Sequence, residues 1–276
     1  MGQTSSGIVL QVFLSVKYTG QVVGDNGLTC AKEGHAPMAR VEGVTSIVDA
    51  IAMDLRRQLF RGELSTEEPL TEASVSEQYE VARPTAKAAI EKLVSEGLLV
   101  RGVHRSARVP VLDAADARDI YGTRFDVESI VLRRLAAGRT VPDEARRANS
   151  EIATLGEASA LDVVDPDMRF HTSLVDAMAS PRLSRAYSSL ASEVRLCMAQ
   201  VQGNSLLSTA LIHAEHERLL DLVAAGDGEA AVALLERHLA RARERLVGVL
   251  GGTPGPEAAW SDDVSQVGGP AADPTA

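Results

Sequence analysis

A chain of 276 residues with 45% apolar content can bury one large core or two modest ones, and 3% aromatic content hands that core to aliphatic side chains. Two cysteines, Cys30 and Cys197, exclude a disulfide framework and point to a reducing, cytoplasmic setting, and no apolar run reaches the roughly 18–20 residues that span a bilayer. The net charge of −10 excludes a uniformly basic nucleic-acid binder, yet residues 82–109 carry six Lys and Arg against two Glu, a local +4.

In chain order, residues 1–45 read as a disordered N-terminal extension, without helical period and dotted with Gly, Ser and Thr. Met38 is expected near the natural start, or else residues 1–37 form a mobile arm. The apolar stretch 8–16 has no basic region before it, so it does not read as a secretory signal. Ile47, Ile51, Leu55 and Leu59 then recur at helical spacing, with Gly62 as the stop. A second helix is predicted over about 71–79, a break at Glu80-Val81-Ala82, and a third helix opening with Arg83-Pro84 and ending at Gly97. Leu98-Leu99-Val100 and residues 107–111 are short strand-like runs around the tip Gly102-Val103-His104-Arg105-Ser106. Residues 46–111 are therefore predicted to form a winged helix-turn-helix.

From 112 to 250 no strand alternation is seen. Helices are predicted at about 113–139, 142–157, 165–178, 182–202, 206–225 and 228–249, with breakers such as Asp165-Pro166 and Gly226-Asp227-Gly228 between them. The expected fold is mostly α: a winged N-domain followed by an all-α antiparallel bundle. Residues 251–276, rich in Gly, Pro, Ala and Asp, are expected to be a disordered tail, and Trp260 has no apolar neighbourhood to join.

A helix-turn-helix needs a turn of about three residues so that the second helix enters the major groove N-terminus first. Its early turns here offer Arg83, Thr85 and Lys87, which can reach phosphates or base edges, and His104 and Arg105 at the wing tip can reach the minor groove or backbone. The pattern alone also allows a helical hairpin whose basic residues are only solvated. In the second block, Asp167 and His171 stand one helical turn apart. His216 and His238 are separated by a span that suits two antiparallel helices joined at Gly226-Asp227-Gly228. One carboxylate and three imidazoles suit Zn, Ni, Fe or Mn with positions left open for a ligand. Separate hydrogen-bonded or exposed histidines remain the alternative at this level. A metal-dependent enzyme is disfavoured: Leu220 stands where a zincin needs its second His, and no Glu-x-x-His pair exists.

The run from Leu70 to Leu99, and most of all Ala89-Ile90-x-x-Leu93-x-x-Glu96-Gly97-Leu98-Leu99, resembles the operator-reading segment of the GntR family of bacterial regulators. The resemblance implies that Arg83, Thr85 and Lys87 contact DNA. It departs from the family at Ala82, where a capping Ser is usual, at Thr66-Glu67 in place of Pro-Gly, and at Ser106 in place of Gly. Asp167-x-x-Phe170-His171, Ala179-Ser-Pro-Arg-Leu183, Glu215-His216-x-x-Leu219-Leu220 and residues 230–239 resemble the metal-containing effector (FCD) domain of the FadR-type subfamily. That resemblance implies a divalent metal on Asp167, His171, His216 and His238, with a small carboxylate effector at the metal. It also implies a homodimer that reads a palindromic operator on double-stranded DNA, usually as a repressor. His213 matches no ligand position. Residues 121–128 resemble the first effector-domain helix, so Arg124 is expected to face the pocket and grip a carboxylate, although an ordinary Arg124–Glu128 helix pair is an equal reading. Arg195 is a second pocket candidate.

Overall fold

The computed structural model describes residues 46–102, 105–156, 160–201 and 207–267. The expected N-terminal extension, and His104 of the wing tip, lie outside the described residues.

Three helices open the described chain. α1 (Ile47–Phe60) starts on Ser46, whose hydroxyl accepts from the Asp49 N–H at 3.1 Å. α2 (Glu72–Gln78) starts on a reciprocal Thr71–Ser74 capping box. α3 (Arg83–Ser95) follows after a turn in which Glu80 takes a φ of 52° and Ser76 closes the loop onto the Val81 carbonyl at 2.6 Å. These helices pack Leu55, Ile90 and Leu93 against one another with no exposure, each worth about 1.5–3 kcal/mol of burial. Beyond α3 the chain forms antiparallel bridges, Val100 to Arg108 and Leu70 to Ala107, so the predicted hairpin is present in minimal form.

Among the described residues, the second block carries the helices α4 (Ala114–Gly138), α5 (Asp143–Thr154), α6 (Ala160–Asp176), α7 (Pro181–Gln200), α8 (Thr209–Ala225) and α9 (Gly228–Val249). α4 lies along α9, α6 along both α5 and α7, and α8 along α5 and α9. The turn from α8 to α9 needs its glycines. Gly226 caps α8 at φ 84°, and a Cβ on Gly228 would come within 3.2 Å of the Arg133 backbone.

Two expectations change. α6 begins at Ala160, not near Asp165: Pro166 lies inside the helix, where the ring removes one N–H donor without breaking the helix. Residues 251–267 were expected to be disordered; instead they fold back as two 3₁₀ turns, Pro256–Ala259 and Val264–Gln266. Polar contacts hold them. Glu244, on α9, accepts from the Gly255 N–H at 2.8 Å; Arg245 donates to the Ala258 and Trp260 carbonyls; and Arg118 of α4 donates to the Thr253 carbonyl.

α7 belongs to both blocks. Leu196 is buried in the apolar core of the first three helices. Gln200 donates to the Pro110 carbonyl at 2.7 Å and accepts from the Leu112 N–H at 3.1 Å. No helix among the described residues is long and apolar enough to cross a membrane.

Candidate functional site

α3 presents its cations outward. Arg83 and Lys87, one turn apart, are both exposed, Thr85 between them is half-buried, and Arg105 on the wing is exposed. The other basic residues of the segment are engaged: Lys92 with Asp49, Arg101 with Glu91 and Glu72, and Arg108 with the Glu67 carbonyl. Among the described residues no ion pair holds Arg83, Lys87 or Arg105. Ala82 gives α3 no side-chain cap, so the positive end of that helix is left unoccupied beside Arg83.

The helical block gathers the four predicted ligands. Asp167 and His171 come from α6, His216 from α8 and His238 from α9, and one donor atom from each lies within 4.8 Å of the others. His171 and His216 are fully buried, His238 nearly so, and Asp167 is partly exposed. His216 Nε2 stands 3.5 Å from Asp167 Oδ1 and His171 Nε2 stands 3.8 Å from the same oxygen, too long for good hydrogen bonds. His171 Nε2 and both His216 nitrogens have no hydrogen-bond partner. The orphaned Nε2 atoms of His171 and His216 beside the Asp167 carboxylate are costly in a buried site unless something satisfies them. A divalent ion would do so, held by the Nε2 lone pairs and the carboxylate together. The chemistry of the set, three imidazoles and one carboxylate, fits such an ion.

Two carboxylates orient the rings, a role that the sequence reading gave to neither. Glu128 Oε2 accepts from His171 Nδ1 at 2.6 Å, and Glu215 Oε2 accepts from His238 Nδ1 at 2.8 Å. Each bond fixes the proton on Nδ1 and leaves Nε2 as the donor atom for the cluster. Burial pulls Glu128 toward its neutral form, but the neighbouring His171 ring and the Arg124 guanidinium outweigh it and hold the carboxyl down at about 2. Arg124 Nε donates to Glu128 Oε1 at 3.0 Å, and the Tyr187 hydroxyl donates to the same oxygen. Glu215 is held in turn by Arg241 at 2.9 Å. His216 has no such partner. It stacks on Phe170, ring centroids 3.7 Å apart and planes 3° from parallel. Burial, then the neighbouring rings of His171 and His238, push its imidazole well below the usual value, which keeps its lone pair free.

A cavity of about 70 Å³ opens beside this cluster, reaching Asp167 and His238. Arg124 lines it, and its Nη2 is buried without a hydrogen-bond partner. Arg124 thus makes the expected pair with Glu128 through Nε and also lines the cavity. Arg195 does not reach the cavity, contrary to expectation. Its Nε pairs with Asp165 at 2.9 Å and its guanidinium lies 5.9 Å over the Phe60 ring. One residue along a helix is about 100° around it, so Val194 faces the cavity and Arg195 faces α1. His213 stands outside the cluster, with Nδ1 3.2 Å from the Asn149 carbonyl.

Comparison with known proteins fits this division. The profile described as "Bacterial regulatory proteins, gntR family" matches residues 47–109, and that of the FCD domain matches residues 119–241. The chain is 26% identical over 208 residues to the HTH-type transcriptional regulator BphR of Paraburkholderia xenovorans (strain LB400), covering 72% of this chain and 84% of that protein. It is 27% identical over 208 residues to a protein of Paenarthrobacter nicotinovorans named as a probable D-xylose utilization operon transcriptional repressor, covering 74% and 88%. Its fold is similar to that of a crystal structure described as a GntR regulator from Rhodococcus sp. RHA1, with a TM-score of 0.62, 23% identity, and coverage of 74% of this chain and 99% of that one. E. coli McbR/YncC is also similar, with a TM-score of 0.57, 18% identity, and coverage of 75% and 98%. These relatives are transcription regulators, not enzymes, and the chain belongs to the GntR family of DNA-binding regulators, with an FCD domain behind its helix-turn-helix.

Proposed function

We propose that this regulator is a cytoplasmic homodimeric repressor. Arg83, Thr85 and Lys87, with His104 and Arg105 on the wing, contact a palindromic operator. A divalent ion (Zn, Ni, Fe or Mn) sits on Asp167, His171, His216 and His238, and a small carboxylate effector in the adjoining cavity lowers operator affinity. The observation that carries this reading is the buried four-donor cluster with its orphaned nitrogens, opening onto a cavity that Arg124 lines. The ion supplies a positive charge and open coordination positions when bound. Arg124 offers its Nη2 to a carboxylate, Glu128 and Glu215 hold the rings, and Phe170 sets the plane of His216. α7 supports the switch. Val194 and Met198 line the cavity, while Leu196 between them packs in the DNA-binding core, so a change on one side is felt on the other.

The test is elemental analysis of protein incubated with Zn²⁺, Ni²⁺ or Mn²⁺ and then desalted, beside fluorescence anisotropy on a selected duplex. One ion per chain is expected in the wild type and in His213→Ala, and none in His216→Ala. Equal, negligible metal in wild type and His216→Ala would overturn the metal site. Unchanged operator affinity across a panel of organic acids would overturn the switch.

A further inference from the structure

We infer that the cavity selects a small monocarboxylic acid with an apolar body and rejects di- and tricarboxylates. This rests on the effector reading above and deepens it. The argument begins with charge. Around the cavity and cluster stand one guanidinium, Arg124, and two carboxylates, Asp167 and Glu128. Glu215 is already matched by Arg241. With a divalent ion on the cluster the balance is a single positive charge, which one carboxylate neutralises. Arg124 Nη2 is buried without a hydrogen-bond partner, while Nε is held by Glu128.

Among the described residues, the remaining wall has nothing for a second anion. Val163, Val164, Val194, Met198, Ile212 and Leu239 form it, and the polar groups that accompany them, Tyr121 and Thr209, carry no charge. Residues 157–159 and 202–206 contain no Lys, Arg or His. A second carboxylate would be desolvated against aliphatic groups with no cation to meet it, and a buried unpaired charge is among the most expensive contacts available. An apolar body there is instead removed from water. At about 10–15 Å³ for each water-sized position, the enclosed part of the cavity has room for roughly five to seven such positions, enough for a short branched or straight-chain acid.

The test uses full-length protein with its metal content verified, by isothermal titration and thermal shift. The probes are butyrate, isovalerate and α-hydroxyisovalerate as monoacids, malonate, succinate and citrate as polyacids, and isovaleramide as the uncharged isostere. At least one monoacid is expected to bind about tenfold or more tightly than every polyacid and than isovaleramide. Met198→Lys, which places a second cation on the apolar wall, is expected to reverse the order in favour of malonate or succinate. Circular dichroism confirms that this variant is folded, and Val194→Lys serves as the second route if it is not. A polyacid that binds the wild type as tightly as the best monoacid overturns the inference while leaving the effector site standing. If no acid binds metal-loaded protein, the effector reading falls and this inference with it.

Discussion

The two halves of this regulator treat charge in opposite ways. Among the described residues, every buried polar or charged side chain belongs to the helical half: Arg124, Glu128, His171, Glu215, His216, His238, Arg241, Glu244 and their neutral companions. The core of the DNA-binding half, from Ile51 to Val109, is apolar, and its free cations Arg83, Lys87 and Arg105 face solvent. The difference follows from the partner each half addresses. A polyanion as large as DNA is met at the surface, where counterion release rewards exposed cations. A small molecule is recognised only where water is excluded, so the groups that read it must be buried and held by others.

The comparison is broken most sharply by removing Glu128. Glu128→Ala leaves Arg124 and the His171 N–H buried without their acceptor, and is expected to cost about 3–5 kcal/mol in urea unfolding. The double replacement Arg124→Met with Glu128→Leu should cost much less, because no unpaired charge remains. A loss under about 1 kcal/mol for Glu128→Ala would mean that the helical half is not organised around its buried charges. On the other half, Arg83→Ala with Lys87→Ala should leave stability within about 0.5 kcal/mol and reduce the salt slope of DNA binding by about 2. An unchanged slope would remove these residues from the phosphate-facing surface. The smallest expected effect sharpens the contrast at one atom: Ala82→Ser gives α3 its missing side-chain cap and should add about 1 kcal/mol, read by thermal denaturation of the whole chain. No gain would show that the α3 N-terminus is already satisfied.

How much of this was legible in the sequence depended on whether the signal was local. Leu55, Leu59, Ala86, Ile90 and Leu93 reveal their helices by period alone, and Asp167 and His171 reveal a shared face. Ile47 fits the same period, yet it stands at the first turn of α1 and is 56% exposed. Pro166 looked like a boundary, but the helix runs on across it. Glu128 and Glu215 were the hardest to see. An Arg–Glu pair one turn apart reads alike on a surface and in a core, and Glu215 serves a histidine 23 residues away on the next helix. Residues 251–267 escaped for a related reason: Glu244 and Arg245 catch backbone groups there, and counting apolar side chains does not register such contacts.

The shared helix α7 has a consequence for anyone who would recombine such regulators. A chimera cut in the linker before Ala114 would join a foreign reading head to a helical half whose Leu196, Arg195 and Gln200 still expect Phe60, Pro110 and Leu112. The seam between the two halves is therefore not a point on the chain. It runs along one face of α7, and a transplanted head will obey its new sensor only if that face is rewritten to suit it.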